Sequence, residues 1–102
     1  MATRVRLASR SDLPTGASKI VAARGKVIAL FNVGGHIRAV ENTCPHRGGP
    51  LGEGVLNGTV VTCPWHGWEF DVCTGVSPRN PAVAIRCISL EILGDEIFAA
   101  LE

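Results

Sequence analysis

Apolar residues along this chain alternate or fall in short runs, many of them β-branched, and turn residues interrupt them at intervals of about ten positions. Thr3–Ala8 places Val5 and Leu7 on one face. Lys19–Ala23 and Lys26–Phe31 flank Arg24-Gly25, a two-residue hairpin signal. Val33-Gly34-Gly35 leads into His36–Glu41, where Ile37 and Val40 are apolar. Asn57-Gly58 predicts a tight turn ahead of Thr59–Thr62. Trp68–Val72 reads as a short strand ending at Thr74-Gly75, and Ser77–Pro81, with two prolines, reads as a loop. Arg86–Ile92 alternates, with Ile88, Leu90 and Ile92 expected inward, and Gly94-Asp95 turns the chain into Glu96–Leu101. No segment keeps a helical period long enough for a helix. Short strands at this spacing predict an all-β protein, an antiparallel β-sandwich or barrel. With no internal repeat and no linker, residues 1–102 are expected to form a single domain.

Composition narrows the class. Hydrophobic residues make up 46% of the chain, charged residues 19%, and there are twelve glycines, which describes a loop-rich globular protein and not a disordered one. A net charge of +1 without a basic cluster argues against a nucleic-acid partner. Val27–Phe31 is among the longest apolar runs, far short of the roughly 18 residues a membrane helix needs, so no membrane partner is expected. Met1–Arg6 lacks the apolar stretch of a signal peptide, and a cytoplasmic location follows as the expectation. In that compartment Cys73 and Cys87 are expected to be free thiols, although the cysteine count leaves a Cys73–Cys87 disulfide open.

Two short motifs carry the chemistry: Cys44-Pro45-His46 and Cys63-Pro64-Trp65-His66, with residues 47–62 between them. Each offers one soft thiolate and one imidazole from a Gly/Pro-rich loop. The loops lie on either side of the Asn57-Gly58 hairpin, so their tips are expected side by side. Thiolate with imidazole suits zinc or an iron–sulfur cluster. Zinc-finger spacing pairs Cys with Cys and then His with His, whereas each motif here pairs unlike ligands. A binuclear cluster can take both Cys on one iron and both His on the other. The remaining candidates invite plainer roles. His36 opens a strand and should be a surface residue. Cys73 and Cys87 should pack as small buried apolar groups. Trp65 and Trp68 flank His66 and should shield the metal from water. Gly52-x-Gly54-x-x-x-Gly58 follows no clear strand and opens no helix, which rejects a nucleotide loop. No Ser-His-Asp, Cys-His or paired-carboxylate set stands apart from the metal ligands, so no independent catalytic site is expected.

The stretch Cys44-Pro45-His46-Arg47-Gly48-Gly49-Pro50-Leu51, followed by Cys63-Pro64-Trp65-His66-Gly67-Trp68-Glu69-Phe70-Asp71 and then Thr74-Gly75, resembles the Rieske family. The family pattern is Cys-x-His, a spacer of about 15 to 17 residues, then Cys-x-x-His-Gly. The resemblance implies a Rieske-type fold with a two-loop cluster-binding subdomain at about residues 42–76 and one [2Fe–2S] cluster. It implies that Cys44 and Cys63 bind a buried iron, and that His46 and His66 bind an outer iron near solvent. The Gly48-Gly49 turn would bring backbone N–H groups close to the inorganic sulfides.

Members from the respiratory and photosynthetic membrane complexes carry two further Cys, at the positions of Gly49 and Trp65, and Ser and Tyr hydroxyls at those of Trp68 and Phe70. This sequence lacks them all and has no Tyr, so the resemblance points to the soluble, low-potential branch. It implies a one-electron carrier, the ferredoxin component of an aromatic-ring dioxygenase system. Such a carrier passes electrons from an NAD(P)H-dependent flavin reductase to a terminal ring-hydroxylating oxygenase. Both partners would dock transiently on overlapping surface near His46 and His66, where Arg47 offers a charge for a partner carboxylate. The small subunit of an NADH-dependent nitrite reductase and a redox sensor are the alternatives.

Overall fold

The computed structural model describes residues 3–45, 48–65 and 67–101. These form nine strands: β1 (Thr3–Ser9), β2 (Ser18–Ala23), β3 (Lys26–Val33), β4 (His36–Glu41), β5 (Val55–Asn57), β6 (Val60–Thr62), β7 (Glu69–Asp71), β8 (Leu90–Leu93) and β9 (Glu96–Leu101). Two single 3-10 turns, Arg10–Asp12 and Leu51–Glu53, have no counterpart in the hydrophobic pattern. The strands make three antiparallel three-stranded sheets, ordered β1-β9-β8, β2-β3-β4 and β5-β6-β7. The expected all-β architecture is what the chain adopts.

The hairpins follow from where the chain can take positive φ. Arg24 and Gly25, at φ 50° and 76°, close β2 onto β3 with Ala23 opposite Lys26, as a type I′ turn requires. The β5–β6 turn lies one residue later than Asn57-Gly58 predicts. Asn57 pairs with Val60, which leaves Gly58-Thr59 as the turn. Gly58 supplies the single left-handed position, at φ 65°, and β-branched Thr59 avoids one.

Packing centres on β3. Its residues 28–31 are fully buried because both faces of the strand are covered. Ile28 and Leu30 face a core with Leu7, Leu13, Ile97 and Leu101. Ala29 and Phe31 face a second core with Leu51, Val61, Phe70 and Val72, and that core also contains Cys44 and Cys63. β4 divides in the same way, Ala39 to the first core and Val40 to the second. One wall, β3 with β4, therefore serves both the β1-β9-β8 sheet and the small β5-β6-β7 sheet.

Three further expectations need correction. The Arg86–Ile92 strand begins only at Leu90; before it, Cys87 makes an isolated bridge to Val40 and the Ile88 N–H donates to the Ala39 carbonyl at 2.9 Å. Ile88 and Leu90 are partly buried against the first core, but Ile92, on the edge strand β8, is 37% exposed and lines a surface cavity. Cys73 and Cys87 are exposed, not buried. Cys73 sits in the turn after β7 whose inward place is taken by Val72, and Cys87 alternates with the inward Ile88. Both are free thiols. His36 is exposed, as expected. Among the described residues, no helix is long and apolar enough to cross a membrane.

Candidate metal centre

Each ligand motif begins at a cysteine that closes its own loop. In the first loop the Cys44 N–H donates to the Gly49 carbonyl at 2.9 Å, and the Gly48 N–H returns to the Cys44 carbonyl at 2.7 Å. Thr43 and Pro50 bridge just outside that neck. Asn42 anchors its base. The Asn42 N–H donates to the Val27 carbonyl at 3.0 Å, its carbonyl accepts from the Leu51 N–H at 2.7 Å, and its side-chain Oδ1 accepts from the Gly52 N–H at 2.8 Å. In the second loop the Cys63 N–H donates to the Trp68 carbonyl at 2.6 Å. The β5–β6 hairpin spans the distance between the loops.

The loops meet at the two thiols. Cys44 and Cys63 are each only 1% exposed. A Cβ placed on Gly49 would lie 2.7 Å from Cys63 Sγ and 3.0 Å from Trp65 Cβ, so the first loop packs onto the second only because residue 49 has no side chain. The Trp65 N–H donates to Cys63 Sγ at 3.4 Å. Burial pushes the Cys63 thiol above its usual range, and the neighbouring Cys44 thiol pushes it the same way, while the Trp65 amide pulls it down. Two paired thiols in an apolar wall are costly to ionise alone, and a bound cation offsets that cost. The pair thus fits an iron held by two thiolates.

His46 and His66, the expected imidazole ligands, and Arg47 lie outside the described residues. Among the described residues no three His, Cys, Asp or Glu side chains converge on a possible ion. Trp65, expected to shield the site, is 50% exposed; Trp68 is half-buried against the cysteine-containing core, its ring centroid 6.5 Å from that of Phe70. Asn42 and the steric role of Gly49 toward Cys63 escaped the sequence reading. An Asn at a strand end, a residue that bonds turn backbone, was the one available signal for the first.

The Rieske [2Fe-2S] domain family matches residues 3–89, and the chain belongs to that family. It is accordingly a protein that carries one Rieske-type [2Fe–2S] cluster. Within the family its likeness is to ferredoxin components of aromatic-ring dioxygenase systems. Ferredoxin CarAc of Metapseudomonas resinovorans is 34% identical over 100 residues, covering 96% of this chain and 94% of its own. The ferredoxin component of the naphthalene 1,2-dioxygenase system of Pseudomonas aeruginosa is 41% identical over 91 residues, 88% of each chain. A chain of the solved complex of reduced oxygenase and oxidized ferredoxin in carbazole 1,9a-dioxygenase superposes with a TM-score of 0.87 at 33% identity, covering 97% of this chain and 94% of that one.

Proposed function

We propose that this protein is a one-electron carrier between an NAD(P)H-dependent flavin reductase and a terminal ring-hydroxylating oxygenase, with no catalytic site of its own. The observation that carries this reading is the buried Cys44–Cys63 pair, clamped between two self-closed loops in a chain whose near-full-length relatives are ferredoxins of dioxygenase systems. Cys44 and Cys63 would hold the inner iron, and His46 and His66, one from each motif, the outer one. When bound, the cluster supplies reversible one-electron chemistry, and the chain supplies burial, ligand placement and a docking surface. Trp65, half exposed yet bonded through its N–H to Cys63 Sγ, links that surface to the ligand sulfur. A partner that contacts Trp65 stands next to the metal centre. The carrier is read as cytoplasmic, and residues 1–102 as one Rieske domain with its cluster-binding part at about 42–76.

Rapid mixing tests the reading. The reduced holoprotein, mixed anaerobically with the oxidised terminal oxygenase of a carbazole or naphthalene system, should return to its oxidised visible spectrum as the oxygenase cluster is reduced. Failure to reduce either oxygenase, together with fast transfer to a sirohaem nitrite reductase, would replace this function with the nitrite reductase role.

A further inference from the structure

The metal centre uses two of the four cysteines and leaves Cys73 and Cys87. Both are exposed free thiols, and both line one surface cavity of about 280 Å³ together with Arg38, Val72 and Ile88. They come from separate parts of the chain. Cys73 is the central residue of the turn after β7, which is closed by the Gly75 N–H donating to the Asp71 carbonyl at 2.7 Å. Asp71 Oδ1 pins that turn further, accepting from the Cys73 N–H at 2.8 Å and the Thr74 N–H at 3.2 Å. Cys87 arrives from the connection into β8. Its sulfur rests on the same turn: a Cβ on Gly75 would lie 3.1 Å from Cys87 Sγ. Cys73 is two residues from Gly75, no more than about 7 Å along the backbone, so Cys87 Sγ lies against the same turn that carries Cys73 and both thiols face the one cavity.

We propose that Cys73 and Cys87 form a dithiol modification site that closes to an intramolecular disulfide when a small-molecule disulfide such as oxidised glutathione is the oxidant. One protein thiolate attacks the small disulfide, forming a mixed disulfide and expelling one small thiolate. The second protein thiolate then attacks the protein sulfur of that mixed disulfide and expels the other. The two protein thiols lose two electrons and two protons, and the small disulfide becomes two thiols. The bond ties the turn leaving the β5-β6-β7 sheet to the strand connection that bridges β4 at Val40. It would therefore fasten the small sheet that adjoins the metal centre to the β2-β3-β4 sheet.

The test is intact-mass spectrometry of the holoprotein incubated with oxidised glutathione, with the visible spectrum monitored to confirm that the cluster ligands stay engaged. Wild type should lose the mass of two hydrogens, and proteolysis should yield a linked pair of peptides containing Cys73 and Cys87. Cys73→Ser and Cys87→Ser should each stop at a single glutathione adduct on the remaining thiol. Wild type that accumulates glutathione adducts without closing, or that stays unmodified while the single variants react, would overturn the proposal. So would a linked peptide pair containing any other cysteine.

Discussion

Cys63 is surrounded by three groups that act on its sulfur at once: an apolar wall, the Cys44 thiol and the Trp65 amide. Removing that sulfur leaves Cys44 without its partner, so Cys63→Ser should abolish the visible absorption of the cluster and lower the unfolding temperature, because metal binding and folding are coupled. Gly49→Ala tests the loop contact separately. Its methyl would meet Cys63 Sγ at 2.7 Å, and overpacking of this kind costs about 1–3 kcal/mol; reduced iron content together with a lower denaturation midpoint is the expected result. Phe70 lies fully buried in the same core as both cysteines. With Phe there and Trp at 68, no side-chain hydroxyl comes from these positions, and the midpoint potential should fall in the lower part of the range of about −150 to +300 mV seen for Rieske centres. Voltammetry checks this, and Phe70→Tyr should raise the value only if its new hydroxyl reaches a ligand sulfur. Away from the metal, burial raises the Cys87 thiol above its usual range, with Asp71 and Cys73 adding to the shift and Arg38 opposing it. A raised value means less thiolate at any given pH. Alkylation of Cys87, followed by mass spectrometry from pH 7 to 10, should therefore climb at higher pH than that of a model thiol.

At the scale of elements, the loops are held by short pieces of sheet whose ends are set by glycine. Gly54, between the Leu51–Glu53 turn and β5, stands against β6: a Cβ there would lie 2.1 Å from the Thr62 carbonyl oxygen, one residue before Cys63. Gly54→Ala should push β5 off β6 and cost on the order of 1–3 kcal/mol, read as a lower urea midpoint with faster bleaching of the cluster. Much of this architecture is legible in sequence. Arg24-Gly25 and Gly94-Asp95 mark their hairpins because few residues tolerate positive φ. The cysteine spacing marks both loops for the same kind of reason, since a metal tolerates few donor sets. What is not legible depends on neighbours distant in sequence. Alternation along 86–92 separates two faces but does not say that β8 is an edge, so Ile92 emerges uncovered. Nor does alternation say that Cys73 and Cys87 fall on uncovered positions. The role of Asn42 is hidden because its partner, Gly52, belongs to a 3-10 turn that no periodicity announces.

Across the whole molecule, two cores share β3, and the Cys44–Cys63 pair belongs to only one of them. The β1-β9-β8 sheet builds the other, with its ion pairs Arg4–Glu91 and Arg6–Glu96 on the exterior. A carrier that presents one metal-bearing surface must use it for both partners in turn. Substitution of exposed Trp65 that preserves the visible spectrum should slow reduction by the reductase and oxidation by the oxygenase alike, whereas Glu91→Gln or Glu96→Gln should slow neither in stopped-flow traces. A stable ternary complex of reductase, carrier and oxygenase in sedimentation would contradict the shuttle. The central claim, a binuclear iron–sulfur cluster with mixed ligands, is tested most directly by the EPR spectrum of the freshly purified protein after reduction with dithionite. Imidazole donates less electron density than thiolate, so a reduced Rieske centre should give a rhombic signal whose average g lies below that of an all-cysteine [2Fe–2S] cluster. A silent spectrum from protein containing zinc and no acid-labile sulfide would contradict it.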